Sequence, residues 1–271
     1  MIGSLSSKKT VWGLYIEETC ISAIKVSTKA KTISVEAFDT VNYSELESSP
    51  KEQADNEPKI QFQFSPKKPA NATNIKDLAD LADKAIAVFL SRNQINSADK
   101  MLIALPAQFV LLRFENLPAV GKKQLKNIVK YHVEKYIPID TKEIIWDFHP
   151  INDKPVPGEK TGVGIFAIKK EDVYTVLSSL QPIKNYLTTI QIGSLSLYNF
   201  LRFNEEKNDP TMLIEVGADN TNLMIIDNEK FWMRNIPSVD TGSGLVEEIK
   251  RSINYYKSLV KEIEIKYLTV T

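Results

Sequence analysis

Cysteine is all but absent from this 271-residue chain, where Cys20 stands alone. A single thiol excludes an internal disulfide and fits a reducing compartment. Histidine is nearly as scarce. His132 and His149 are the only two, and no Cys, His or carboxylate spacing suits zinc. Surplus charge is missing as well, because Lys plus Arg number 34 and Asp plus Glu number 34. That balance argues against a nucleic-acid protein, which carries a basic surplus to neutralise phosphates. No apolar run approaches the ~18 residues of a membrane-spanning helix. The opening stretch MIGSLSSKKTVWG lacks the apolar core of a signal peptide. These absences lead to the expectation of a soluble cytoplasmic protein that reaches a membrane, if at all, through a partner.

What is present is the composition of a folded protein, 43% hydrophobic and 25% charged, with length enough for two domains. Residues 11–16, 21–26 and 33–38 read as three strands, β-branched and alternating. Residues 44–74 change character: Pro50, Pro58, Pro66 and Pro69 sit among Ser, Lys, Glu and Asn, the composition of a flexible excursion. Within it only 61–64 (QFQF) alternates like a short edge strand. A helix is expected at 75–91, strands at 101–105 and 110–114, and the clearest helix at 121–136. There Leu125, Ile128, Val129, His132, Val133 and Tyr136 form one apolar stripe, and Pro138 ends it. Strands at 144–148, 163–168 and 189–192 alternate with helices at 171–180 and 195–203. A new unit opens at 212, with strands at 212–216, 223–226 and 231–236, a helix at 245–260 and a buried-looking strand at 263–268.

The order of three strands, a helix and a strand therefore occurs twice, from Val11 and from Met212. This internal duplication is the most informative feature of the organisation. The chain stops at Thr271 just after the last strand, so the expectation is a second domain cut short.

Two such units about two hundred residues apart resemble the actin-like fold. Further segments resemble the PilM family of type IV pilus assembly proteins, relatives of FtsA, with GspL of type II secretion as another relative. Leu117 and Pro118 precede a helix ending in Glu134, Tyr136, Ile137 and Pro138, which is similar to that family's Glu-x-Tyr-Ile-Pro signature. The stretch IEVGADNTNLMII at 214–226 is similar to its second phosphate hairpin, and Arg234, Asn235, Ile236 and Pro237 resemble the strand that follows. The resemblance implies an α/β, duplicated actin-like fold. In it, residues 1–108 form the first subdomain (1A) and 109–180 an inserted 1C-type subdomain. Residues 181–210 return to the first subdomain, and 211–271 begin the second domain (2A). The family's third nucleotide motif, a glycine-rich turn for the adenosine, would follow Thr271.

In the family each hairpin carries an Asp-x-Gly-x turn. Glycine lets backbone N–H groups approach phosphate oxygens, and the carboxylate organises magnesium or water. Here the first turn reads Tyr15, Ile16, Glu17, Glu18. Tyrosine replaces the carboxylate, and a glutamate replaces the glycine. A unit charge at contact with a phosphate costs about 1 to 4 kcal/mol even in a wet site. The second turn keeps Gly217 and carries Glu215 for Asp, with Asp219 and Thr221 beyond it. The resemblance thus makes Glu215, Gly217, Asp219 and Thr221 candidate phosphate contacts, with Tyr15, Glu17 and Glu18 a degenerate half-site. Bound ATP and magnesium are doubtful, and an ATPase is the less expected activity. No catalytic or metal-ligating residues are assigned.

His132 reads as a packing residue, and the glycines Gly162 and Gly164 lack the third glycine of a dinucleotide fingerprint. The run 241–244 (TGSG) reads as a helix entry capped by Ser243. Cys20 has no basic neighbour to activate it. The resemblance implies a partner groove instead, for a peptide of a PilN-like inner-membrane protein, with Leu111, Arg113, Phe114, Ile145, Trp146 and Phe148 beside it. It also implies the assembly ATPase of the motor as a partner, and self-association. Three readings follow: a non-catalytic scaffold at the inner membrane, a nucleotide-gated form of it, or an FtsA-like filament protein of cell division.

Overall fold

The computed structural model describes residues 9–29, 32–46, 74–150, 158–204, 209–217, 220–227, 230–237, 242–259 and 264–271. Most of the expected excursion, including the strand at 61–64, lies outside them. In chain order the elements open with β1 (Lys9–Ile16), β2 (Cys20–Lys29), β3 (Thr32–Asn42), the short α1 (Tyr43–Leu46), α2 (Ile75–Arg92) and β4 (Lys100–Leu105). Next come β5 (Leu111–Pro118), α3 (Lys122–Tyr136), β6 (Ile144–Pro150), β7 (Lys160–Lys169) and α4 (Lys170–Ser179). After β8 (Leu187–Ile192) and α5 (Gly193–Asn204) follow β9 (Thr211–Val216), β10 (Asn220–Asp227), β11 (Lys230–Pro237), α6 (Gly242–Leu259) and β12 (Tyr267–Val270). Ala107–Phe109 and Gln181–Tyr186 are 3-10 turns, which periodicity did not signal.

The chain divides into two compact units, residues 1–104 with 176–190 and residues 105–175 with 191–271. The first holds the sheet β3-β2-β1-β4-β8. β1 pairs antiparallel with β2 and parallel with β4, so α2 is the crossover between parallel strands. Asn74 starts α2, its side-chain oxygen accepting the N–H groups of Lys76 and Asp77, each at 3.0 Å. That satisfies two of the donors a helix start leaves open. Leu78, Ala82, Ala85, Ile86 and Phe89 then repeat at three- and four-residue steps and are buried. Period two does the same in β1, where Trp12, Leu14 and Ile16 are buried. The Trp12 and Phe89 rings meet edge to face, 5.0 Å apart at 88°.

The second unit contains two sheets. β5-β7-β6 is antiparallel throughout, with α3 on one face. Leu125, Val129 and Val133 of α3 join Leu117, Ile144, Val163, Ile165 and Ala167 in a buried cluster. The sheet β11-β10-β9-β12 repeats the first unit's plan, antiparallel across β9, β10 and β11 and parallel between β9 and β12. The doubled pattern expected from the sequence is therefore present. One strand differs. The last was expected at 263–268 and buried, but β12 begins at Tyr267 and its Tyr267, Leu268 and Val270 are exposed. Register with β9 decides the place. The N–H groups of Lys266 and Tyr267 both reach the Pro210 carbonyl, Val270 pairs with Ile214, and β12 is an edge strand. Ile265, just before it, supplies the apolar contact to the core.

Candidate functional site

β1 and β2 pair up to Ile16 and Ile21, so residues 17–20 form a tight hairpin turn, and its polar groups are occupied by neighbours. The Glu17 N–H donates to the Cys20 carbonyl at 2.9 Å. The Ser22 hydroxyl donates to Glu17 Oε1 at 2.8 Å, and the Tyr43 hydroxyl donates to the Glu17 carbonyl at 3.1 Å. Glu18 is buried. Burial pushes the Tyr43 phenol far above its usual pKa, with the charges of Cys20 and Glu17 adding to it, so Tyr43 remains a neutral donor. Burial and then the Glu17 charge also raise the Cys20 thiol, the opposite of what a nucleophile needs. A phosphate at this turn would find the Glu17 N–H already in use.

The described groups that flank the second turn are also in use. Gly217 donates its N–H to the Asn220 carbonyl at 2.8 Å, and Asp219 lies outside the described residues. Glu215 Oε2 accepts from the Ser194 hydroxyl at 3.1 Å and from Asn222 Nδ2 at 2.9 Å. Asn235 Nδ2 donates to both Asn222 Oδ1 and Asn220 Oδ1 at 2.9 Å, and Asn220 Nδ2 donates to Gln108 Oε1 at 2.6 Å. These bonds form one chain from Gln108 to Ser194 across β9, β10, β11 and the start of α5. Ser194, Asn220 and Asn222 are buried, where an unmade hydrogen bond is costly. Thr221 is buried as well. Of this network the sequence pointed only to Glu215; its one further signal was the Asn-Thr-Asn run opening an otherwise apolar strand. Asn222→Leu is expected to lower stability by about 1–3 kcal/mol, by stripping partners from Glu215 and Asn235. A urea midpoint equal to that of the unaltered protein would contradict this.

The six expected partner residues do not come together. β5 and β6 are opposite edges of their sheet, with β7 between them, so Leu111, Arg113 and Phe114 lie at one edge and Ile145, Trp146 and Phe148 at the other. The first three line a groove of about 580 Å³ with Gln108, Trp232 and Arg234. Its walls, β5 and β11, are edge strands of two different sheets, so among the described residues each has one side without a strand partner. Arg113 pairs with Glu115 and covers the Tyr136 ring at 4.8 Å. Arg234 donates to Glu248 at 2.9 Å and to Ser252 at 3.2 Å. Phe114 is half-buried, its ring against Phe231 and Trp232. The contribution of β11 escaped the sequence reading, because alternation does not tell an edge strand from a central one. Among the described residues no group of three or more His, Cys, Asp or Glu gathers as a metal site, and no helix is long and apolar enough to cross a membrane.

No model of a protein family matches the chain, and no curated protein does. Solved structures do. The PilM–PilN type IV pilus biogenesis complex superposes with a TM-score of 0.60 at 21% identity, over 90% of this chain and 66% of the other. The fold is the actin-like one. This chain thus spans slightly less than two thirds of that relative's length. The cytoplasmic domain of EpsL, an inner-membrane component of the type II secretion system of Vibrio cholerae, superposes at 0.49 and 11% identity, over 97% and 82% of the two chains. A Bacteroides thetaiotaomicron protein with an actin-like ATPase fold superposes at 0.49 and 13%, over 100% and 85%.

Proposed function

We propose that this protein is a non-catalytic actin-like scaffold in the inner-membrane assembly platform of a type IV pilus or related type II secretion machine. In this reading it links membrane partners to the cytoplasmic motor, and its first ligand is a peptide of a PilN-like inner-membrane protein. The observation that carries it is the groove walled by the open edges of β5 and β11. An extended peptide adds to such an edge through backbone hydrogen bonds, and side-chain pockets supply specificity. The likeness to the PilM–PilN complex supports the choice of partner. The four-part division at 108/109, 180/181 and 210/211 belongs to the same reading, as do a motor ATPase as second partner, self-association and a place at the inner membrane.

The closed turns favour a scaffold over a nucleotide machine. At the first, Glu17 stands in place of the family's glycine, and its N–H and Oε1 are already hydrogen-bonded. At the second, the Glu215 carboxylate already serves Ser194 and Asn222. Gly217 alone favours the second reading, a nucleotide-gated form of the same scaffold, because glycine there leaves backbone room for a phosphate. Leu111 and Arg113 are exposed, so the double variant Leu111→Arg/Arg113→Glu is expected to keep the fold. It should weaken binding of the PilN-like cytoplasmic peptide by about tenfold or more. Undiminished binding would remove the groove from the account.

A further inference from the structure

At the other edge of the same sheet lies a second groove, of about 630 Å³, lined by Lys122, Lys123, Lys126, Trp146, Asp147 and Phe148. Its floor is aromatic: the half-buried rings of Trp146 and Phe148 lie 6.5 Å apart and 33° from parallel, packed on the core beneath α3. Its rim is three exposed lysines. Along α3 only Lys130 has a carboxylate partner among the described residues, Glu134 at 3.8 Å. Asp147, whose Oδ1 accepts the Phe148 N–H at 2.8 Å, offsets one of the three lysine charges and leaves the rim with a positive surplus. The helix gives no compensation. Its first turn holds no acidic residue and Gly121 caps it without a side-chain bond, although a helix start favours anions and disfavours cations. Here two lysines occupy that turn, breaking a local rule with no gain inside the chain, and such places are where function is to be sought.

We propose that this groove docks an acidic segment of a partner protein, its carboxylates on Lys122, Lys123 and Lys126 and an aromatic or branched apolar side chain on Trp146 and Phe148. Charge complementarity selects the sign, and the sunken apolar floor selects a segment with an anchor over a flat anionic surface. The site is separate from the β5 groove and stands or falls without it.

The test uses a dye-labelled peptide in which glutamates flank one phenylalanine, and its counterpart with lysines in place of the glutamates. Fluorescence anisotropy follows binding to the unaltered protein and to the triple variant Lys122→Glu/Lys123→Glu/Lys126→Glu. The expected result is binding of the acidic peptide alone, weakened by salt and about tenfold or more weaker in the variant. A shift in Trp146 emission should accompany it, since Trp12 and Trp232 are buried. The variant should melt no lower than the parent, because glutamates suit a helix start, so lost binding cannot be ascribed to lost fold. Equal binding by parent and variant, equal binding of both peptides, or binding to phosphatidylserine vesicles without binding to the peptide would each overturn the proposal.

Discussion

Replacing Asp99 with alanine is expected to lower the stability of the first unit by about 3–5 kcal/mol, the range found when one partner of a buried ion pair is removed. Asp99 is 1% exposed and sits just before β4. It accepts from the Thr10 hydroxyl, from Lys25 Nζ at 2.8 Å and from the Asn96 N–H at 3.1 Å. It thereby ties β1, β2 and the turn into β4 together. Without it the Lys25 ammonium, also largely buried, has lost its carboxylate and stands over the Trp12 ring. Pairing Asp99→Leu with Lys25→Met should recover most of the loss, because an apolar pair leaves no uncompensated charge. Burial alone would raise the Asp99 carboxyl, but the bonds from Lys25, Thr10 and Asn96 outweigh it and hold its pKa below the usual range. A depressed folded pKa adds stability that is fully present above the unfolded value of about 4 and is lost as pH falls through the folded value. Chemical denaturation between about pH 6 and pH 2 should show that acid limb in the parent, and a shallower one in Asp99→Asn. Identical limbs would contradict the pairing.

Phe231→Ala should destabilise the second unit by about 3–5 kcal/mol, the cost of removing a buried aromatic from a packed core. Phe231 is 1% exposed and meets four other rings. Tyr198 on α5 is at 4.9 Å, His149 on β6 at 5.5 Å, Phe114 on β5 at 6.0 Å and Phe166 on β7 at 6.4 Å. One side chain of β11 thus fastens the β5-β7-β6 sheet to the β9–β12 sheet. Phe231→Leu retains most of the volume and should cost about 1–2 kcal/mol. Thermal melts of both variants check the ranking, and near-equal midpoints would show that the ring contacts add little. Because the β5–β11 groove depends on this junction, Phe231→Ala should also loosen the proposed peptide binding, a loss that Leu111→Arg/Arg113→Glu should produce without the loss of stability.

Alternation in β1, the continuous apolar run of β10, the helical stripes of α2 and α3 and the repeated three-strand, helix, strand order were all legible in the sequence. Each is a local pattern of apolar residues, and local period is what burial on one face imposes. The order of strands within a sheet is not local. Ile145, Trp146 and Phe148 stand beside Leu111 and Arg113 only by the family resemblance, which carries no strand order, and β7 lies between them. Likewise, nothing in Phe231 or Trp232 marks β11 as an edge strand facing a groove. Glu215 was picked out by its place in a motif. Gln108, Ser194, Asn220, Asn222 and Asn235, which decide what its carboxylate does, are single polar residues scattered over more than a hundred positions. The apolar Ile263 and Ile265 point to a strand earlier than Tyr267–Val270, because the register that β9 imposes is not local.

The most direct test of the scaffold account is calorimetric titration of the complete protein with the cytoplasmic peptide of the proposed PilN-like partner, with and without saturating magnesium-ATP. The account predicts binding of the same strength in both, because Ser22 and Tyr43 hold Glu17 at the first turn and Ser194 and Asn222 hold the Glu215 carboxylate before the second. Peptide binding that requires ATP, or that ATP shifts by tenfold or more, would contradict it, as would a folded protein that does not take the peptide.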